Sequence, residues 1–205
     1  MAILSHTLGI LLHPDKEWKA IREEKTSLQQ LFLSHVPFLA LIPCVSSFYG
    51  VTQVGWSIGN GDPVKLTIDS ALTLCALTYV ALLAGVFIFG YFIQWMSKTY
   101  GVNDSAEQRE YGGYAMSVFV TTPLFLVGIF NAYPMLWLSA ITLGAAGIYA
   151  IYLIYEGMPI LMNIDKDRAF MYSSSVVTVG GILMVTIMIT TVLIWGMGLR
   201  PEFVS

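Results

Sequence analysis

Charge is what this chain of 205 residues has least of. Asp, Glu, Lys and Arg together make up 11% of it, against about 25% in soluble domains. Between Tyr111 and Tyr155 there is none at all. A globular core needs a polar exterior, and this composition does not supply one. The net charge of −3 gives no reason to expect nucleic acid or a strongly charged partner. Cysteine is scarce too: Cys44 and Cys75 both lie in apolar runs, too few for a disulfide scaffold or a thiolate metal site. A bridge between them is geometrically conceivable, and small apolar packing residues are the simpler reading. The histidines, His6, His13 and His35, are too scattered to name a metal constellation. HExxH, GxSxG, Walker and Gly-rich dinucleotide patterns are absent, so no cofactor and no enzymatic activity are expected.

Apolar residues are abundant instead, at 56% of the chain, with a mean hydropathy of +0.71. The uncharged stretch from Tyr111 to Tyr155 would be a helix of roughly 68 Å at about 1.5 Å per residue, whereas a bilayer core is about 30 Å thick. It must fold back, and Asn131-Ala132-Tyr133-Pro134 is the natural break. The apolar runs predict an all-α, polytopic, five-helix bundle with spans near Gln30–Gly50, Ile68–Ser97, Tyr114–Phe130, Pro134–Glu156 and Ser173–Trp195. The second span is long enough to tilt or to project Gln94-Trp95-Met96 beyond the membrane. Segments of alternating hydrophobicity, which a membrane barrel requires, are missing. Gly59-Asn60-Gly61-Asp62-Pro63 reads as a turn cluster, not a phosphate cradle.

Lys and Arg give the expected orientation. Eight of them (Lys16, Lys19, Arg22, Lys25, Lys98, Arg109, Lys166 and Arg168) fall on one side and two, Lys65 and Arg200, on the other. The N-terminus is thus expected in the cytoplasm and the C-terminus outside. The opening is followed by Asp15-Lys16-Glu17 and not by a small-residue cleavage site, so the first span is expected to stay as an uncleaved anchor. Three parts are expected: an amphipathic segment over 1–27, a membrane domain over 28–199 and a tail over 200–205. Within the first, Leu4, Leu8, Leu11 and Leu12 recur at helical spacing, and Pro14, Asp15 and Glu17 suit a helix start. Trp18 and Ile21 share one face of the second helix. The pair of short helices either lies on the membrane surface or packs on the bundle as a cap.

Ionisable groups near membrane depth are the first place to seek function. His35, Asp69 and Glu156 qualify, each within a turn or two of a span boundary where a side chain can reach water. No acid, base or cation is expected at mid-membrane, which argues against an ion-coupled pump. Glu156, Asp165 and Asp167 are the one carboxylate group near an interface to consider for lipid chemistry, and their neighbours Lys166 and Arg168 favour a solvated loop. Pro37, Pro43 and Pro123 kink their spans. Thr121 and Thr122 stand where Pro123 opens the backbone. Small residues four apart (Ala81 and Gly85, Ala140 and Gly144, Ala146 and Ala150) allow close helix packing, within one copy or between copies.

Several of these segments resemble one known family. Leu12-His13-Pro14-Asp15-Lys16-Glu17-Trp18 is similar to the opening of bacterial Yip-domain proteins. Gly113-Tyr114 followed by Thr121-Thr122-Pro123-Leu124 resembles their third span. Tyr152-Leu153-Ile154-Tyr155-Glu156-Gly157-Met158-Pro159, with Asn163-Ile164-Asp165-Lys166, resembles the exit from their fourth. Thr52-Gln53-Val54-Gly55-Trp56 is similar to the YohC-like inner-membrane group. The resemblance runs over essentially the whole chain. It implies a five-helix inner-membrane protein and adds Gly157 and Pro159 to His35, Asp69, Pro123 and Glu156 as candidate functional or boundary residues. Eukaryotic relatives bind prenylated Rab GTPases and shape membranes; the long hydrophilic N-terminal region they carry is not found here. The expected partners are the bilayer and a protein partner or second copy, with no nucleic acid. Association is therefore the expected mode of action, and a transporter or channel for a small or apolar solute is the alternative.

Overall fold

The computed structural model describes residues 2–24, 26–57, 61–197 and 201–204. Lys25 and Arg200 of the charge count, and Gly59 and Asn60 of the turn cluster, lie outside the described residues. Two short helices open the chain, α1 (Ala2–Leu12) and α2 (Pro14–Glu23), with Pro14 in the first turn of α2 and Asp15 and Glu17 beside it. Five long helices follow: α3 (Leu28–Tyr49), α4 (Ile68–Met96), α5 (Ala106–Val127), α6 (Leu136–Leu161) and α7 (Lys166–Gly196). Among the described residues these five are long and apolar enough to cross a membrane. The chain is an all-α polytopic membrane protein.

Polar caps set where the helices begin. The hydroxyls of Ser27, Thr67 and Ser105 accept the backbone N–H of Gln30, Ser70 and Gln108, satisfying donors that the first turn leaves free. This shifts several boundaries from those expected. The third span starts at Ala106 instead of near Tyr114, the fourth runs to Leu161 and the fifth starts at Lys166. Charge marks where apolar surface stops, whereas capping marks where a helix stops, and at this end of the bundle helices outrun the apolar runs.

Burial is inverted relative to a water-soluble bundle. The central helix is α5, in which every residue from Gly112 to Val120 is buried. Its most apolar window has a hydropathy of 1.7 and is 67% buried, whereas that of α7 has 2.4 and is 0% buried. The window of α4 is nearly as apolar, 2.3, and 11% buried. Helices that are most apolar and least covered by protein are solvated by lipid.

Close approaches join the spans. Gly113 of α5 lies against α4: a Cβ there would stand 2.8 Å from the backbone N of Gln94 and 3.0 Å from the carbonyl of Gly90. At the far end the first span finishes in a π-helical turn (Gly50–Val54) and the third in a 3-10 turn (Gly128–Ala132), tied by the Asn131 Nδ2 donating to Ser47 Oγ at 3.1 Å. Trp56 pairs with Val64 across the loop, and Phe203 of the tail pairs with Leu66. The tail also accepts from Thr67 N through Glu202 O at 2.9 Å, and Val204 N donates to Lys65 O at 2.9 Å. Cys44 and Cys75 are free thiols, close enough for the Cys75 Sγ to donate to the Cys44 carbonyl at 3.4 Å.

The small-residue pairs fall into different surroundings. Ala146 and Ala150 are buried within the chain. Ala81 and Gly85 face a lateral opening between α4 and α7. Ala140 and Gly144 are exposed, with nothing within 4 Å of a Cβ placed on Gly144.

Candidate functional site

The polar residues gather where α1 and α2 dock on the bundle. Trp18 and Ile21, the apolar face of an otherwise charged helix, are both fully buried, so the opening segment packs on the bundle as a cap. Gly157 of α6 makes this possible. A Cβ on it would stand 2.6 Å from Cε2 of the Trp18 indole, so only a glycine leaves room for the ring. The Trp18 Nε1–H is buried without a hydrogen-bond partner among the described residues, and packing of the ring is what holds it. Its other edge meets Phe119 of α5, with centroids 6.2 Å apart and planes at 85°.

Three helix ends here are capped by side chains from other helices. Tyr149 of α6 shares its hydroxyl proton between the carbonyls of Ile10 (3.1 Å) and Leu11 (3.0 Å) at the end of α1. Tyr111 of α5 donates to the Ile21 carbonyl in α2 at 3.0 Å. Arg22 in turn donates to the Ile160 carbonyl at 3.0 Å and to that of Leu161, carbonyls that the end of α6 leaves without helical donors. Its other nitrogen pairs with Asp104 at 2.9 Å. A cation at a helix C-terminus also meets the negative end of the helix dipole.

Two histidines converge on the same phenyl ring. His6 of α1 binds Glu17 through Nδ1 and approaches Glu24 through Nε2 at 3.3 Å, and its ring stands edge-on to Phe119 at 6.0 Å. His35 of α3 meets Phe119 from the membrane side at 5.0 Å. Its Nε2 lies 3.1 Å from Thr122 Oγ1. The Thr122 proton is committed to the Val118 carbonyl at 3.1 Å, so Oγ1 accepts and His35 carries its proton on Nε2. In that arrangement His35 is not a base toward Thr122, and the pair is not an activated nucleophile of the hydroxyl–imidazole kind. Among the described residues no group of three or more His, Cys, Asp or Glu side chains is placed to hold a metal ion.

The expected candidates divide between the two ends. His35, only 2% exposed, is corrected from a water-reaching boundary residue to a buried one, because Phe119 and Thr122 occupy the space around its ring. Pro123 is buried next to Thr122. The Thr121 hydroxyl reaches the carbonyls of Ser117 and Val118 at 2.9 and 3.1 Å, just before the carbonyl of Phe119 that Pro123 deprives of its usual donor. Gly157 carries Trp18; Glu156 and Pro159 flank it, half-buried. Asp69 is exposed at the far end in the first turn of α4. His6 and Phe119 were not singled out from sequence. The rings that meet Phe119, from His6, Trp18 and His35, are all far from it in sequence, and the apolar face of α2 was a sequence signal pointing to this junction.

The docked hairpin, the Gly157 contact and Thr121-Thr122-Pro123 all lie in a chain whose sequence matches a known family. Residues 8–188 match the Yip1 domain. The chain belongs to the Yip1-domain family. It is 37% identical over 198 residues to the inner membrane protein YohC of Escherichia coli strain K12, covering 96% of this chain and 99% of that relative. The corresponding protein of Escherichia coli O6:H1 strain CFT073 is similar to the same extent. No solved structure matches the chain. Of the matched region, Trp18, His35, Phe119, Thr122 and Gly157 all fall inside the Yip1 domain, while His6 lies just before it.

Proposed function

We propose that this Yip1-family chain is a non-enzymatic inner-membrane protein acting by association with a protein partner or lipid in membrane organisation or trafficking. The observation that carries the reading is the inverted burial: α4 and α7, the most apolar spans, are the least covered. Between them lies an opening of about 360 Å³ lined by Ala81, Gly85, Thr186, Ile187, Thr190 and Thr191. The hydroxyls of Thr186, Thr190 and Thr191 are spent on their own helix carbonyls at 2.8, 2.8 and 2.9 Å, so this face offers apolar contact. The kinking prolines support association over transport because each is engaged. A Cβ on Gly128 would stand 2.5 Å from the Pro43 ring, the Pro37 carbonyl accepts from Tyr79 at 3.2 Å, and Pro123 is enclosed in α5. Purification in mild detergent is expected to recover a stoichiometric partner, a second copy or bound lipid. A clean, lipid-free monomer would overturn the reading.

The orientation belongs to the same proposal. The hairpin end carries Lys16, Lys19, Arg22, Lys98, Arg109, Lys166 and Arg168, which supports placing it in the cytoplasm. Alkaline phosphatase fused after the tail should then be active. A silent fusion made at normal protein level would reverse the topology.

A further inference from the structure

A second polar feature lies at the hairpin end, between α4 and α7. Thr99, Tyr100, Gly101, Arg168 and Met171 line a cavity of about 300 Å³ between the α4–α5 loop and the start of α7. That volume is at the lower end for ligand pockets, about 300–1,000 Å³, and suits a headgroup better than a whole lipid. Its walls are fixed. Tyr100 stacks on Tyr172 of α7 with centroids 4.7 Å apart and planes 9° from parallel, and its hydroxyl binds Ser175. Gly101 N donates to Lys98 O at 3.2 Å and Val102 N to Ser97 O at 3.1 Å.

Arg168 lines this cavity from the first turn of α7. Asp165 accepts its backbone N–H at 3.0 Å and forms an ion pair with its Nε at 3.1 Å, so one carboxylate both caps α7 and stands beside one edge of the guanidinium. The Nη groups remain, and Nη1 lies over Gly101, where a Cβ would stand 2.7 Å from it. Gly101 also has φ +73, so both its backbone and the space above it call for glycine. A guanidinium with one edge paired and an Nη group beside a cavity is suited to paired hydrogen bonds with phosphate oxygens. Around it, Lys98, Lys166 and Arg168 stand against Asp165 and Asp167, and Asp165 is already engaged. The lip of the cavity is apolar: Met171, which lines it, is 56% exposed. Arg168 and Met171 are one turn apart, about 4.5 Å along the helix. A soluble phosphate has no use for that apolar lip, whereas an acyl chain beneath a headgroup does.

We propose that this cavity binds the phosphate of an anionic phospholipid, with Arg168 as the binding residue and Asp165 and Gly101 positioning it. This names a lipid class for the association reading and rests on it. The test is native mass spectrometry of delipidated protein titrated with phosphatidylglycerol, phosphatidylcholine and free glycerol 3-phosphate. Wild-type protein should prefer phosphatidylglycerol. Arg168→Gln should weaken that binding about tenfold, the effect of losing a charge-assisted hydrogen bond, while Lys166→Gln, an equal loss of charge outside the cavity, should change it less than about twofold. Gly101→Ala, which leaves Arg168 in place but pushes on Nη1, should weaken it in the same direction and serves if Arg168→Gln melts early. Equal losses in the Arg168 and Lys166 variants, or none in either, overturn the site. Glycerol 3-phosphate binding as tightly as the lipid overturns the lipid assignment. Loss of this site with a partner still copurifying leaves the association reading standing, whereas loss of the site in a clean, lipid-free monomer removes both.

Discussion

Gly157→Leu is expected to release the N-terminal hairpin from the bundle. The added side chain starts 2.6 Å from the Trp18 ring, and neither partner has room to yield: Trp18 is fully buried against Phe119 and Gly157 lies inside a continuous helix. Overpacking of this kind costs about 1–3 kcal/mol where the core can adjust. Here the relief available is to expel the indole, whose burial is worth about 3–5 kcal/mol by the cost of truncating such a residue. Trypsin reads the result directly. Arg22 is tied to Asp104 and the α6 carbonyls, so a docked hairpin resists cleavage there and a released one is cut. Pairing Gly157→Leu with Trp18→Ala removes the collision and should restore part of the protection. Equal trypsin resistance in wild type and Gly157→Leu would show that the indole is not what seats the hairpin.

The second large effect lies deeper. Gly113→Val drives a branched side chain between α4 and α5, where the atoms in the way are backbone: Gln94 N at 2.8 Å and the Gly90 carbonyl at 3.0 Å. Backbone within a helix cannot rotate aside, so the two spans must separate along their crossing. In lipid, close van der Waals contact is much of what holds helices together, and α3, α4 and α6 all pack on α5. Assembled protein recovered in detergent should fall severalfold, with the melting temperature of the remainder lowered by several degrees, as a loss of about 1–3 kcal/mol produces. Gly144→Val and Gly147→Val are the controls. Nothing lies within 4 Å of a Cβ at either position, and both should behave as wild type. A loss of equal size at Gly144 would move the important contact to a surface between molecules.

How much of this was legible beforehand depends on the kind of interaction. The five spans and the break at Asn131 follow from apolar length against bilayer thickness, and Pro14 with Trp18 and Ile21 marked a helix start and its apolar face, leaving open what that face meets. The pairs that build the docking site were out of reach. His35 meets Thr122, His6 meets Phe119 and Trp18 meets Gly157, each pair distant in sequence and without periodicity to link the partners. A histidine near a span end reads as facing water until the neighbour that encloses it is known. Helix ends were misplaced for a related reason: Ser105 caps α5 well before the apolar run begins. The Arg168 cavity was hidden in a segment that reads as solvated, because the carboxylate of Asp165 looks like a competing charge until it is seen paired with the guanidinium.

The contrast between α5 and α7 bears on how the chain is made. The fifth span has enough apolarity to leave an insertion channel for lipid unaided, and with little protein covering it, that is what it must do. The third span is less apolar, and its first turns carry Glu107, Arg109 and Glu110. It depends on neighbours for a stable place. Synthesis runs in a helpful order, since α3 and α4, both in contact with α5, emerge before it and stand ready to receive it.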